Sequence, residues 1–118
     1  MKGIGCDLCS IERMERCLKN PRFAQRVFTP AEQAEIARRG AATAAGLWAA
    51  KEACAKALGS GFVGFGPAQI EVLKDELGAP ALRLSGGAQQ RMSALRATSA
   101  RLSISHESGL ALAFCVLE

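Results

Sequence analysis

The stretch Trp48-Ala49-Ala50-Lys51-Glu52-Ala53-Cys54-Ala55-Lys56-Ala57-Leu58-Gly59 decides how this chain is read. Alanine, leucine, lysine and glutamate are strong helix formers, and the run contains no β-branched residue. The same composition extends upstream, so the pattern predicts one alanine-rich helix from Ala41 to Leu58, with Gly59 as its stop. Trp48, Glu52 and Lys56 recur at i, i+4 and i+8 and therefore share a face. Glu52 before Lys56 is also the favourable order for a helical ion pair. Taken alone, the spacing is equally well explained by such a pair, worth a few tenths of a kcal/mol.

Downstream, Gly59-Ser60-Gly61, Gly64 and Gly66-Pro67 form a glycine-rich loop. Glycines let a backbone approach a ligand, and free N–H groups can receive phosphate. The loop lacks the glycine-lysine ending of a Walker loop and follows a helix rather than a strand. Beyond it, Ile70 to Lys74 reads as a strand and Asp75-Glu76-Leu77-Gly78 as a turn. Pro80 sits at the edge of a strand from Ala81 to Leu84. Gly87 to Arg96 reads as a helix and Arg101 to Ser105 as an alternating strand. Glu107-Ser108-Gly109 turns into Leu110 to Leu117, apolar on both faces and so expected to be central and buried.

Upstream, Thr29-Pro30-Ala31-Glu32 is a capping-box start for a helix reaching Arg38-Arg39, with Gly40 as its stop. Asn20-Pro21 ends a helix from Glu12 to Leu18, and Arg22 to Val27 reads as a further helical turn. Gly3 to Ile11 reads as a strand with a polar break at Asp7. The class is α+β, with helices in the first half and an antiparallel sheet built largely from the second. A single domain over residues 1–118 is expected.

The 118 residues carry a formal net charge of +4, which favours an anionic partner. Arg13, Arg16, Lys19, Arg22 and Arg26 crowd the first third, either as a solvated helix face or as a docking surface for acidic groups. The absence of tyrosine and of any RNP-like strand argues against an RNA-binding domain. No segment approaches membrane-spanning length. Five cysteines, an odd number, follow an opening with no apolar run long enough for export; a reducing cytoplasm and free thiols are expected. Cys6 and Cys9 form a C-x-x-C, but no second cysteine or histidine pair completes a zinc site.

Asp7 stands inside an apolar strand, where a carboxylate is costly unless paired or bound to a metal. His106 is the sole histidine and closes the alternating strand. Each residue taken alone also fits an ordinary structural role. Together, Asp7 and Glu52 could offer two carboxylates to Mg²⁺, which takes one or two of these along with substrate phosphates and waters. Lys56 and His106 could neutralise or hydrogen-bond the same phosphates.

Three blocks resemble the small bacterial 4'-phosphopantetheinyl transferases, the holo-[acyl-carrier-protein] synthases. Gly3-Ile4-Gly5-Cys6-Asp7 is similar to their opening G-x-G-x-D, with Arg13 soon after. Trp48 to Gly59 is similar to W-x-x-K-E-A-x-x-K-A-x-G. Ser103-Ile104-Ser105-His106 before an apolar strand is the third. The resemblance runs end to end. It implies transfer of 4'-phosphopantetheine from coenzyme A to a serine of an acyl carrier protein, with release of adenosine 3',5'-bisphosphate. It also implies Asp7 and Glu52 as Mg²⁺ ligands and Glu52 and Lys56 as catalytic groups. Lys51, Lys56, Gly59, Ser105 and His106 are implied as coenzyme A contacts, and Arg13, Met14, Arg22, Phe23 and Arg26 as the carrier-protein dock. A homotrimer with sites between subunits is expected. Leu47 departs from the family, which commonly has there an arginine that helps hold a nucleotide phosphate; Arg38 or Arg39 could compensate. Leu110 stands where the family often has an aromatic residue. A degenerate relative that binds coenzyme A or a carrier protein without transfer is the alternative.

Overall fold

The computed structural model describes residues 1–118. Strand β1 (Gly3–Ser10) leads into α1 (Ile11–Cys17), α2 (Pro21–Val27), α3 (Pro30–Arg39) and α4 (Ala41–Ala57). A 3-10 turn (Pro67–Gln69) opens β2 (Ile70–Lys74), followed by β3 (Pro80–Leu84), α5 (Gly86–Ala94), β4 (Ala100–Glu107) and β5 (Leu110–Leu117). The expected capping box is present. The Glu32 N–H donates to the Thr29 hydroxyl, and the Glu32 carboxylate accepts from the Thr29 N–H at 2.8 Å.

Helix α4 is buried over most of its circumference, and its alanines keep it thin. Strand β1 therefore lies directly against its backbone. A Cβ at Gly3 would fall 2.0 Å from the Ala57 carbonyl oxygen, and one at Gly5 would fall 2.1 Å from that of Ala53. The opening G-x-G is thus a packing requirement: no side chain fits between strand and helix. This contact fixes where Asp7 sits relative to α4.

The strands form two antiparallel sheets rather than the single one expected from sequence. The first has the order β1-β5-β4 and the second is the β2-β3 hairpin. Asp7 does not interrupt β1, which pairs continuously with β5, Asp7 opposite Ala113. Strand β5 is central, as its apolar sequence implies, but only one face is covered. Ala111, Ala113, Cys115 and Leu117 are buried against the helices. Leu110, Leu112 and Phe114 on the other face are 42%, 41% and 43% exposed, joined by Ile4 and Leu8 of β1. All the helices of the core pack on the first face, so within one chain nothing shields the second.

The second sheet is held by a buried lysine. Lys51 is wholly buried on α4, and its ammonium donates to Glu32 Oε1 at 2.8 Å and to the carbonyls of Pro67 at 3.0 Å and Ile70 at 2.7 Å. Its three donors are all used. The other Glu32 oxygen accepts from the Val72 N–H at 2.8 Å. Glu71 accepts from the Thr29 hydroxyl at 2.6 Å and pairs with Arg83. Removing one partner of a buried ion pair leaves an uncompensated charge. Lys51→Met should therefore lower stability by about 3–5 kcal/mol. Adding Glu32→Gln should recover part of that loss, as read from urea midpoints. A single variant as stable as wild type would show that the pair carries little of the fold.

Candidate active site

Asp7 projects from the middle of β1 towards α4 and is 15% exposed. Lys56, from the last turn of α4, donates to Asp7 Oδ1 at 2.8 Å and to the Cys6 carbonyl at 3.1 Å. The lysine is thus claimed by the strand carboxylate, not by the i−4 glutamate that its helical spacing suggests. Glu52 lies one turn earlier on the same face. Burial raises its pKa first, and the hydrogen bond and charge of Asp7 raise it further, while Lys56 opposes. Two carboxylates therefore meet beside Lys56, with Arg13 as a weaker positive influence, and the proton affinity of Glu52 is still raised. No group of three or more His, Cys, Asp and Glu side chains forms a closed metal cage. Two hard oxygen donors with open positions suit a cation that completes its shell with phosphates and water.

The other expected site residues divide. Lys51 is not available to a phosphate, because burial and its three protein acceptors commit it to the core. Gly59 sits at the end of α4 with φ +80°, and its N–H donates to the Lys56 carbonyl at 2.9 Å. It terminates the helix as a left-handed cap and has no free N–H for coenzyme A. Ser105 and His106 are consecutive on β4 and point to opposite faces. Ser105, opposite Leu112, lies on the uncovered side of the sheet. His106 turns back over α4, where Nε2 lies 2.9 Å from the Ala42 carbonyl. Gly46 makes room for the ring: a Cβ there would lie 3.0 Å from Nε2.

Of the residues expected to meet a carrier protein, Arg13, Arg22 and Arg26 are exposed. Met14 is 2% exposed and belongs to the core, so it is not a docking contact; it is the inward residue of a short amphipathic helix. Phe23 is half-buried, its ring edge-on to Phe28 and Trp48, and Trp48 stacks on Phe62 at 6.0 Å.

A cavity of about 410 Å³ opens between α3, α4, β2 and β4. Leu47, Val72, Leu73, Pro80 and Ile104 give it apolar walls, and Glu35, Arg39, Lys74, Thr43 and His106 supply polar groups. Leu47, at the position of the expected arginine, is 8% exposed in the wall. Glu35, Thr43 and Gly46 stand in no local motif, because the cavity arises only when α3, α4, β2 and β4 converge.

A family model described as the 4'-phosphopantetheinyl transferase superfamily matches residues 3–115. The chain belongs to that superfamily. It is 46% identical to the holo-[acyl-carrier-protein] synthase of Solidesulfovibrio magneticus over 121 residues, covering 100% of this chain and 98% of the relative. It is 48% identical to that of Methylobacterium sp. over 125 residues, covering 98% and 93%. Among solved structures, it is similar to the Helicobacter pylori holo-[acyl-carrier-protein] synthase in complex with coenzyme A, with TM-score 0.87, 34% identity and coverage of 98% and 99%. The Neisseria meningitidis enzyme gives TM-score 0.90 and 34% identity, covering 100% and 98%. In this superfamily member, Glu52 of the carboxylate pair and the cavity-lining Thr43, Gly46 and Leu47 lie on different stretches of α4.

A carboxyl whose folded pKa is raised stabilises the fold while protonated. That contribution is present below the ordinary glutamate range and is lost as pH rises through the raised value. In metal-free buffer, wild-type stability should fall with rising pH across that window, and Glu52→Gln should flatten the slope in thermal melts. An unchanged slope would show that the fold does not raise the Glu52 pKa.

Proposed function

We propose that this chain is a magnesium-dependent holo-[acyl-carrier-protein] synthase, transferring 4'-phosphopantetheine from coenzyme A to a carrier-protein serine. The observation that carries the reading is the Asp7–Glu52 pair beside Lys56, set in a chain that matches such synthases along its whole length. Asp7 and Glu52 would hold Mg²⁺, and the proton affinity of Glu52, raised by burial and by Asp7, fits a cation there. When bound, the ion supplies charge stabilisation at the diphosphate oxygens.

The chain's own residues do the rest. Lys56, 55% exposed beside Asp7, places a cation where charge gathers on the transferred phosphate. The serine oxygen forms a bond to the β-phosphorus while the bond to the bridging oxygen breaks, and adenosine 3',5'-bisphosphate leaves. Of the chain's own groups, Glu52 is the carboxylate placed to take the serine proton. The cavity beside His106 offers apolar walls for the nucleotide base. Exposed Arg13, Arg22 and Arg26 form the dock for an acidic carrier protein, with Phe23 beneath as an apolar contact.

The uncovered sheet face is where copies of the chain pack into a homotrimer. An apolar face of this kind is rarely left in water, and Ser105 stands on it, where it would meet a neighbouring copy. All five cysteines are free thiols, and no helix is long and apolar enough to cross a membrane. Both support a cytoplasmic enzyme.

Incubation with coenzyme A, Mg²⁺ and an apo carrier protein should add one phosphopantetheine to the carrier, seen by mass spectrometry. Asp7→Asn and Glu52→Gln should each slow that addition by about 100-fold or more. Coenzyme A binding without transfer, under conditions where a known transferase works, would instead favour a non-catalytic binding module. Sedimentation should return a trimer for the wild type and monomers for Leu112→Glu; a wild-type monomer would rule out the shared site.

A further inference from the structure

Lys56 stands in the last turn of α4, where its carbonyl accepts from the Gly59 N–H at 2.9 Å. The backbone is therefore fixed, and what can move is the side chain. Its Nζ donates to Asp7 Oδ1 at 2.8 Å and to the Cys6 carbonyl at 3.1 Å. An ammonium has three donors, so one is left for another acceptor. The Lys56 side chain is 55% exposed and that of Asp7 only 15%. The ammonium thus lies on the solvent side of the carboxylate, and an ion approaching Asp7 meets it there. Glu52 lies against the same carboxylate, so Asp7 is engaged by both neighbours.

We propose that Lys56 is an exchangeable counter-ion: it competes with a divalent cation for Asp7 Oδ1 and passes to an oxygen of the substrate diphosphate when the cation takes its place. The proposal rests on the magnesium and coenzyme A reading above. Magnesium binds carboxylate oxygens at about 2 Å, closer than the 2.8 Å that Nζ keeps. Two cations drawn to one oxygen repel each other, so they do not share Oδ1 on good terms. With both carboxylates ionised, the Asp7–Glu52 pair carries two negative charges against the single charge of Lys56. A divalent ion balances the pair by itself and leaves the lysine without a carboxylate partner. A diphosphate supplies a new partner. Without the ion, however, it draws Lys56 away and leaves the two carboxylates unbalanced. Either ligand alone costs the protein an ion pair, and the two together satisfy every charge. Metal and coenzyme A therefore raise each other's affinity through Lys56, by the same factor in both directions. The exchange needs only rotation of a flexible, exposed stem carrying a point charge, with α4 and β1 unmoved.

The test measures Mn²⁺ binding without substrate, by electron paramagnetic resonance, for wild type, Lys56→Met and Arg13→Met. Arg13 is the charge control, since it acts on Glu52 through space. Lys56→Met should bind Mn²⁺ about tenfold more tightly than wild type. Arg13→Met should gain no more than about threefold. Adding Asp7→Asn to Lys56→Met should abolish the binding, which locates the ion. Calorimetry with coenzyme A, in chelator and in saturating Mg²⁺, then reads the coupling: Mg²⁺ should raise coenzyme A affinity several times more in wild type than in Lys56→Met. Lys56→Gln has the same expected direction and serves if Lys56→Met does not fold. Mn²⁺ binding to the Lys56 variant that is weaker than wild type, or no tighter than to Arg13→Met, overturns the proposal, because the lysine then holds Asp7 ready for the ion or acts by charge alone. Equal coupling in the two proteins overturns it as well. If transfer proceeds with Mg²⁺ while these shifts are missing, the proposal fails and the magnesium reading stands. If Asp7→Asn leaves Mn²⁺ binding intact, the magnesium reading itself fails and takes the proposal with it.

Discussion

The structure depends on one buried ammonium. Lys51 lies in the middle of α4 with no solvent contact, and its Nζ satisfies a carboxylate of α3 and two carbonyls at the start of the second sheet. Burial lowers its pKa, and Glu32 opposes that shift. An ion of this kind is stable only when every donor has a partner, so the three segments are held in one arrangement. Its neighbour in sequence, Glu52, is turned about 100° around the helix. One residue of the Lys-Glu pair therefore locks α4 into the fold, and the other is delivered to a different face of the helix, where Asp7 lies.

The second constraint is steric. Gly3 and Gly5 let β1 meet the backbone of α4 with nothing between them. That contact sets the height of Asp7 along the helix and brings it beside Glu52 and Lys56. The result is a pair of like charges that the fold alone does not satisfy. Lys56 offsets part of the repulsion from the Asp7 side, and burial together with Asp7 still raises the proton affinity of Glu52. In the proposed function, a divalent cation and a diphosphate would complete the charge balance there, joining the architecture to phosphoryl transfer.

Much of this could be read from the sequence, and the exceptions have physical causes. The Thr29–Glu32 cap, the glycine stops and the strands Ile70–Lys74 and Leu110–Leu117 are local signals, and the structure has them at those residues. Asp7 and Glu52 were singled out through the motifs around them. Long-range partners were not legible. Lys51 resembles a phosphate ligand until Glu32, 19 positions earlier, is seen to take it. Gly59 resembles part of a phosphate loop until its N–H is found to cap a helix. Strand alternation separates Ser105 from His106, although their adjacency suggests one shared ligand. Met14 shows the reverse case, since a short helix in a basic segment buries the one residue that fits the core. The cavity is assembled from α3, α4, β2 and β4, and no single stretch of sequence contains it.

The most direct test of the account is a crystal structure of the protein with coenzyme A and Mg²⁺. The account predicts a cation bound by the Asp7 and Glu52 carboxylates and by oxygens of the coenzyme A diphosphate, with Lys51 still buried against Glu32. A diphosphate seated away from Asp7 and Glu52, with no cation between those carboxylates, would contradict it.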